Sequence, residues 1–258
     1  MEEYIVITGA SSGIGYEMAY QLAEKKYNLI LVARTKTKLQ QMQADLATKY
    51  SVLVKYFVAD LSDVNAAINL YEHMQKENLV VSHLVNNAGV GIYGNFSETS
   101  LDEELNMITL NISSLVALTK LFAKDMLSRK SGRIMNVASM LAFLPFPYYS
   151  VYSSTKAFVL AFSETLAAEL EGSGVIITSL YPGATETNFT TDAMQTSSVY
   201  SKGKAMHPKV VAAYGVKHLL SGKGKKIVGF QNWFNSNLPR FVPDTIMMAI
   251  KKKLAGVK

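Results

Sequence analysis

Short apolar segments alternate along the chain with longer segments whose apolar positions repeat at helical spacing. Runs rich in β-branched residues predict strands over residues 4–8, 28–33, 52–59, 133–138 and 175–181, and a strand with its turn over 83–89. Helices are predicted from the first glycine turn to about Lys25 and over residues 36–49, 63–77, 101–128 and 150–171, with Gly172 as the last cap. Near-continuous apolar strands separated by helices indicate a parallel sheet covered on both faces.

This alternation predicts an α/β fold: a doubly wound parallel sheet of the Rossmann type, with about seven strands and helices on both faces. Residues 225–230, KKIVGF, could supply the seventh strand. Because the sequence contains no low-complexity linker and no repeat, residues 1–258 are interpreted as a single domain.

One internal segment, residues 185–206, follows neither period and is rich in Thr, Ser and Gly. It comes after the carboxyl end of a predicted strand, where ligands bind in open α/β sheets. That position favours a substrate flap over an ordinary surface insertion.

Composition narrows the chemistry. The chain is 49% hydrophobic and 18% charged, which is typical of a globular protein. It has no cysteine, which excludes disulfides, thiolate catalysis and cysteine-bound zinc, and its four histidines lack the spacing of a metal site. The beginning does not resemble a signal peptide and no apolar run approaches about 20 residues. We therefore expect a cytoplasmic protein with no metal and no nucleic-acid ligand.

Charge is unevenly distributed. From Lys202 onward there are 12 Lys or Arg and one acidic residue, a net charge of +11, whereas residues 1–201 carry −5. A basic end suggests contact with an anionic partner, or simply a solvated lysine-rich face. In the extension 231–258, Asp244 could cap a short helix with apolar residues and lysines. That helix could lie on an anionic membrane surface, cover a neighbour's pocket or, as its shortness favours, dock onto the protein's own body.

The sequence TGASSGIG at residues 8–15 follows the first strand and opens the first helix. Its three glycines allow a tight turn in which a phosphate lies against exposed N–H groups. In this strand–turn–helix context the spacing indicates a dinucleotide site. The second strand ends in Arg34, and the next acidic residue is Asp45. An arginine suits a ribose 2′-phosphate, so NADP(H) is predicted over NAD(H).

Two Tyr–Lys pairs have the four-residue spacing that places both side chains on one helix face: Tyr152 with Lys156, and Tyr200 with Lys204. Ser139 lies 13 residues before Tyr152, after a predicted strand end. The second pair lies in the predicted flap, has Thr187 at the equivalent offset and is interrupted by Gly203. Only the first pair is a candidate for proton transfer.

Taken together, TGASSGIG, NNAG (86–89), Asn111, Ser139, Tyr152-x-x-x-Lys156 and PGATET (182–187) resemble the short-chain dehydrogenase/reductase family, in the right order over roughly residues 3–190. The resemblance implies that Tyr152 is the acid in carbonyl reduction and the base in alcohol oxidation. Lys156 would hold the nicotinamide ribose, and its ammonium should lower the pKa of Tyr152. Ser139 would orient the substrate oxygen, and Asn111 would hold a water for proton relay.

The resemblance also implies the cofactor contacts. Asp60 would meet the adenine amine, and it could also cap the following helix, since the two roles are compatible. Asn87 would lie under the ribose, and residues 182–187 would wrap the nicotinamide. The complete set of expected cofactor contacts is Gly9, Ser11, Ser12, Gly13, Ile14, Gly15, Arg34, Asp60, Leu61, Asn87, Ala88, Gly89, Tyr152, Lys156, Pro182, Gly183, Thr185 and Thr187.

The substrate side is expected to be apolar. MLAFLPFPYY (140–149) follows Ser139, and GVGIYGNF (89–96) lies opposite it in this fold. Substrate contacts are predicted for Ser139, Leu141, Tyr93 and Tyr152, although the apolar residues after Ser139 could equally pack against a helix or another subunit.

The leading hypothesis is an NADP(H)-dependent carbonyl reductase acting on an apolar or acyl-type ketone or aldehyde. The alternative is a redox sensor that binds the cofactor without turnover, which would not need the full set of catalytic residues. Helices 101–128 and 150–171 are long and apolar enough to pair between subunits, so a homodimer or homotetramer is expected.

Overall fold

The computed structural model describes residues 2–187, 189 and 205–255. Seven parallel strands form one sheet in the order β3-β2-β1-β4-β5-β6-β7, which confirms the predicted doubly wound architecture. The strands are β1 Glu3–Thr8, β2 Asn28–Ala33, β3 Val54–Val58, β4 Val80–Asn86, β5 Gly132–Val137, β6 Val175–Tyr181 and β7 Gly224–Ile227.

The α-helices of the described residues are α1 Gly13–Glu24, α2 Lys36–Tyr50, α3 Val64–Lys76, α4 Leu101–Ile108, α5 Ser114–Ser128, α6 Ser150–Glu169, α7 Pro208–Ser221, α8 Phe230–Asn237 and α9 Asp244–Ala255. Short 3₁₀ turns occur at Met140–Ala142 and Leu238–Arg240. The helices α7 and α8 were not predicted from the sequence. The seventh strand is shorter than predicted, because Gly229 (φ 89°) turns the chain directly into α8.

The sheet separates two apolar cores, and the pleat of each strand supplies both. In β1, Ile5 and Ile7 face the core formed with α1, α2 and α7, while Tyr4 and Val6 face the core formed with α3, α5 and α6. These four residues are buried. Strands buried on both faces explain the continuous apolar runs in the sequence.

Residues 101–128 form one helix, as predicted, but a π turn at Thr109–Ser113 interrupts it between α4 and α5. Such π turns occur frequently at functional sites, and this one contains Asn111. By length and composition alone the helix could cross a membrane, contrary to the expectation from the sequence. In the fold its α5 half packs against β4 and β5.

Strands β1 and β4 are neighbours, and the chain winds in opposite directions from them. A crevice opens at the carboxyl ends of the strands at such a switch point. Here the crevice is a cleft of about 1380 Å³. Of the predicted flap, residues 185–187, 189, 205 and 206 are described, and Thr185, Thr187, Phe189 and Met206 line the cleft. Residues 188 and 190–204 are outside the described residues. The two ends of the flap meet in a parallel bridge between Thr185 and Met206.

Candidate active site

The glycine turn after β1 forms one end of the cleft. Gly9 and Gly13 have φ angles of 64° and 57°, a region that favours glycine. Ser12 is the N-cap of α1, but its side chain makes no capping hydrogen bond. The first-turn N–H groups of Gly13 and Ile14, which line the cleft, are therefore suited to a phosphate.

Gly15 was predicted to contact the cofactor, but the structure gives it a packing role. It is buried and does not line the cleft, and a Cβ there would come within 2.5 Å of Asn87 Nδ2 and of the Gly9 carbonyl oxygen. This glycine therefore allows α1 to pack closely against the loop after β4, rather than offering a direct contact.

Thr8, which the sequence analysis missed, joins the two loops. Its Oγ1 accepts hydrogen bonds from the backbone N–H groups of Asn87 and Ala88, both at 3.0 Å. Asn87 Nδ2 in turn donates to the carbonyl oxygens of Thr8 and Gly9 at 2.9 and 3.2 Å. The β1 and β4 loops are thus held at fixed separation across the cleft. In the sequence, Thr8 is marked only by its position as the last residue of β1, directly before Gly9.

Arg34 and Asp60 follow the carboxyl ends of the neighbouring strands β2 and β3, and both line the cleft. Their side chains form an exposed ion pair of 3.9 Å. Burial alone would raise the pKa of Asp60, but hydrogen bonds from Ser62 and the charge of Arg34 outweigh it and lower that pKa. Asp60 does not cap α3, contrary to one alternative, because Asp63 is the N-cap and accepts from the Asn65 N–H.

Tyr152 and Lys156 lie one turn apart in α6 and line the middle of the cleft with Ser139. Lys156 Nζ lies 5.8 Å from the centroid of the Tyr152 ring and donates to the carbonyl oxygen of Val137 at 3.2 Å. Ser139 caps the short 3₁₀ turn by accepting from the Leu141 N–H at 3.2 Å, and it also hydrogen-bonds Tyr152. The structure brings all three residues together.

Burial determines the protonation of this group. It raises the pKa of Tyr152 to about 12, although the hydrogen bond with Ser139 acts in the opposite direction. Burial also lowers the pKa of Lys156 to about 8. The pKa of Tyr152 is therefore raised, contrary to the expected lowering by Lys156, because loss of hydration is the largest influence on it.

Asn111 is buried, and its carboxamide is hydrogen-bonded to other groups of the protein. Nδ2 donates to the Val90 carbonyl oxygen at 2.9 Å and to Thr155 Oγ1 at 3.1 Å, while Oδ1 accepts from the Val90 N–H at 3.1 Å. The side chain therefore fixes the loop after β4 against α6. The role in holding a relay water stays a prediction.

The segment after β6 closes the cleft on the nicotinamide side predicted from the sequence. Pro182, Gly183, Thr185 and Thr187 all line the cleft, as do Leu61, Gly89 and the two serines of the glycine turn. Phe189, which the sequence analysis missed, also lines it, and its ring lies 5.6 Å from the Tyr152 ring. It lies in the predicted flap, where no periodic pattern pointed to it.

The opposite end of the cleft has apolar walls formed by Leu141, Leu144, Phe146 and Tyr149. Tyr93 is not among the described residues that line the cleft. It packs behind Tyr149, with ring centroids 4.7 Å apart. A direct contact between Tyr93 and substrate stays a prediction, whereas Tyr149 takes the lining position.

These features fit a dinucleotide. The cleft exceeds the roughly 300–1,000 Å³ of ordinary ligand pockets. It combines an uncapped helix terminus for phosphates with the basic residues Arg34 and Lys38 at the end of β2 and the start of α2. No ion-ligating cluster of His, Cys, Asp or Glu occurs among residues 2–187, 189 and 205–255.

Comparison with known proteins agrees with this geometry. The sequence model of the family described as short chain dehydrogenase matches residues 3–198. Among solved structures, a short-chain dehydrogenase from Sphingobium yanoikuyae in complex with NADPH superimposes with a TM-score of 0.82, at 28% identity and with 95% of each chain covered.

Two curated relatives indicate the range of similar enzymes. The 17-beta-hydroxysteroid dehydrogenase type 3 of Mus musculus is 36% identical over 192 residues, which cover 74% of this chain and 62% of the relative. A very-long-chain 3-oxoacyl-CoA reductase of Pyrenophora tritici-repentis is 41% identical over 180 residues, which cover 67% of this chain and 52% of the relative. The matched region therefore spans less than two thirds of either relative.

Proposed function

This chain belongs to the short-chain dehydrogenase/reductase family of oxidoreductases, and from that premise we propose that it interconverts an apolar ketone or aldehyde and the corresponding alcohol with NADP(H). The observation that supports this most directly is that Ser139, Tyr152 and Lys156 lie together in the middle of one cleft, with Ser139 hydrogen-bonded to Tyr152 and Lys156 Nζ 5.8 Å from the centroid of the Tyr152 ring. One end of that cleft is basic and the other is apolar, so it can accept a charged cofactor and an apolar substrate together.

The cofactor preference rests on the charges at the end of β2. Arg34 and Lys38 line the cleft, and Thr35, the N-cap of α2, makes no side-chain capping bond. These donors suit a 2′-phosphate. Asp60 is the acidic group nearest to Arg34, and their long exposed ion pair is weak enough for Arg34 to exchange partners.

The protein's own groups handle the proton. Bound NADPH supplies the hydride. Tyr152, protonated throughout the neutral range, donates its phenolic proton to the oxygen that was the carbonyl. Ser139 donates a hydrogen bond to the same oxygen and stabilises its developing negative charge. Phe189 and Tyr149 flank Tyr152 and help to exclude water from this step.

The substrate class is inferred from the walls of the cleft. Leu141, Leu144 and Phe146 offer no charged group to a polar substrate. The names of the two curated relatives refer to a hydroxysteroid and a very-long-chain 3-oxoacyl-CoA. We therefore place a bulky or long-chain apolar carbonyl compound at this end.

The deciding experiment follows NADPH absorbance with a ketosteroid, a long-chain 3-oxoacyl thioester and a small polar ketone. Turnover of an apolar substrate that is lost in Tyr152→Phe supports the proposal. Retained reduction in that variant contradicts the mechanism. NADPH binding without turnover of any of the three would instead support the cofactor-binding sensor.

We also propose that the protein is a homodimer or homotetramer. Leu101 and Leu105 on α4 and Phe158 on α6 are exposed, and Phe158 stacks on Phe162. Light scattering of the native chain tests this, with Leu105→Lys and Phe158→Lys expected to shift the mass toward the monomer. A monomeric wild-type protein would contradict it.

A further inference from the structure

Helix α8 has its apolar side chains on the solvent side and its polar side chains on the protein side, the reverse of an ordinary amphipathic helix. Its aromatic residues Phe230, Trp233 and Phe234 face solvent, with Phe230 78% exposed. The positions turned toward the protein are polar: Asn232 donates to the Val228 carbonyl oxygen at 2.7 Å, and Ser236 is buried. A helix that only covers its own protein has the opposite arrangement.

The same reversal continues into α9. Phe241, in the tight turn after α8, is 82% exposed, and Ile246 and Ile250 lie on one outward face of α9. The inward face at the same spacing holds Met247, which is buried, and the partly buried Lys251. Within the described residues, no other helix or strand shares a broad packing face with α9.

We call the residues Phe230, Trp233, Phe234, Phe241, Ile246 and Ile250 the C-terminal apolar surface. Among the described side chains of α9, Met247 is buried and Lys251 and Ala255 are partly buried, so docking onto the protein's own body involves one face of the helix and leaves Ile246 and Ile250 exposed. Several large apolar side chains exposed on two successive helices and the turn between them are typical of a contact site rather than of ordinary surface. The surface also lies outside residues 3–198 that match the family, so the shared catalytic fold does not require it.

The segment that carries this surface is rich in basic residues. Residues 205–255 contain nine Lys or Arg and one acidic residue, Asp244. Arg240 lies in the turn between α8 and α9, and Lys252 and Lys253 follow Ile250, all of them exposed. Aromatic and aliphatic side chains bordered by lysine and arginine are the composition that binds an anionic lipid interface.

The surface adjoins the mouth of the catalytic cleft. Phe230, Gln231, Asn232 and Asn235 of α8 line the cleft, while Trp233 and Phe234 on the same helix face outward. One short helix therefore separates the cleft from the C-terminal apolar surface.

We propose that the C-terminal apolar surface docks this protein onto an anionic lipid bilayer, with the mouth of the cleft at the membrane. Trp233, Phe234, Phe241 and the two isoleucines insert among the lipid headgroups, and Arg240, Lys252 and Lys253 bind the lipid phosphates. An apolar carbonyl compound dissolved in the bilayer then reaches the cleft beside Phe230. Only this last step rests on the proposed function.

Charge distinguishes the bilayer from a second copy of the chain. Two copies joined through this surface would bring two strongly basic segments together, and like charges oppose such a contact. An anionic membrane instead attracts the same residues. Exposed aromatic groups bordered by positive charge are therefore better matched by lipid than by self-association.

The chain contains a natural reporter for this contact, since Trp233 is its only tryptophan. We expect a blue shift of its fluorescence, and pelleting of the full chain, with vesicles of phosphatidylcholine containing about one third phosphatidylserine. Vesicles of phosphatidylcholine alone should bind at least about tenfold more weakly, because each basic residue near the surface adds to the attraction.

Two sets of variants separate charge from apolar insertion. Reversal of Arg240, Lys252 and Lys253 to Glu should lower binding at least about tenfold, whereas the same reversal at the exposed Lys25, Lys55 and Lys76 keeps the net charge equal and should lower it far less. Phe241→Ser with Ile246→Ser should also weaken binding. The matched control is Leu53→Ser with Val210→Ser, at exposed positions elsewhere.

The outcomes are distinct. No pelleting and no blue shift with anionic vesicles would overturn the proposal, as would equal losses in the two charge-reversed variants. A lipid-independent blue shift that increases with protein concentration would assign the surface to a second copy instead. All these readouts are independent of turnover, so they stand apart from the test of carbonyl reduction.

Discussion

Asn111 Nδ2 donates a hydrogen bond to Thr155 Oγ1 over 3.1 Å, and the Thr155 hydroxyl donates to the carbonyl oxygen of Tyr152 at 2.8 Å. The π turn between α4 and α5 is thereby joined to the catalytic turn of α6 through one buried threonine. Thr155 itself is not one of the described residues that line the cleft. We therefore expect Thr155 to act as a positioning residue.

Replacement of this threonine should reduce turnover. Thr155→Ala leaves a buried amide hydrogen of Asn111 without its partner, which costs about 1–3 kcal/mol. We expect kcat to decrease about tenfold with KM for NADPH little changed, and Thr155→Ser to restore it. Equal kcat in the alanine and serine variants would show that the hydroxyl has no positioning role.

A methyl group at Gly89 should displace Asn111 and Lys156 from the cleft side. A Cβ there would lie 3.0 Å from Asn111 Oδ1 and 3.3 Å from Lys156 Nζ. We expect Gly89→Ala to lower kcat/KM at least about tenfold, since small displacements of catalytic groups have large effects. Gly94→Ala is the control, because its Cβ would meet only the Thr99 methyl group, also at 3.0 Å. Comparable losses in both variants would contradict this.

The contact between the β1 and β4 loops should appear in stability. Thr8→Val removes the acceptor for two backbone N–H groups and should lower the free energy of unfolding by about 2 kcal/mol. Thr8→Ser keeps the hydroxyl and should retain most of that stability. Urea unfolding measures both, and a valine variant as stable as the serine variant would refute the assigned role.

The choice of cofactor should depend on Arg34. Arg34→Asp is expected to lower kcat/KM with NADPH by about tenfold or more, since hydrogen bonds to charged groups contribute about 1.5–3 kcal/mol. Activity with NADH should not fall in parallel. Lys36→Asp makes a similar charge change two residues away, outside the cleft lining, and should leave the preference intact. An unchanged preference in Arg34→Asp would exclude the NADP(H) assignment.

The pH profile should reflect Lys156. Because its folded pKa is lowered to about 8 by burial, it is charged below that pH and neutral above it. Tyr152, with a pKa near 12, keeps its proton throughout. Carbonyl reduction should therefore be constant near pH 6–7 and decrease above about 8. Lys156→Arg retains its charge to higher pH, so an identical decrease in that variant would contradict the assignment.

The sequence predicted the sheet and most of its helices because apolar periodicity reports burial directly. It also predicted the group around Tyr152, since the four-residue spacing and the offset of Ser139 are local and follow a strand end. Thr8 and Thr155 escaped notice because their roles lie in hydrogen bonds to distant backbone. No periodic pattern reveals such bonds.

Other differences have a similar origin. Gly15 follows the glycine spacing like its neighbours, and only the packing of α1 against Asn87 distinguishes it. Burial has the largest influence on the pKa of Tyr152. A lysine nearby in the sequence does not reveal how far the Tyr152 hydroxyl is shielded from water. Helix α8 was not predicted because its aromatic residues point outward, the reverse of an ordinary amphipathic pattern. The cytoplasmic location stays a prediction.

The bridge between Thr185 and Met206 has a consequence for how substrate specificity can be changed. It joins the two ends of the segment 185–206, with further hydrogen bonds from the Glu186 N–H to the Met206 carbonyl oxygen and from the Met206 N–H to the Ala184 carbonyl oxygen. Doubling the length of a closed loop costs only about 0.6 kcal/mol in closure entropy. Segments of other lengths and sequences can therefore be grafted between these two ends. Such grafts would change which substrates the enzyme accepts while Ser139, Tyr152 and Lys156 stay in place.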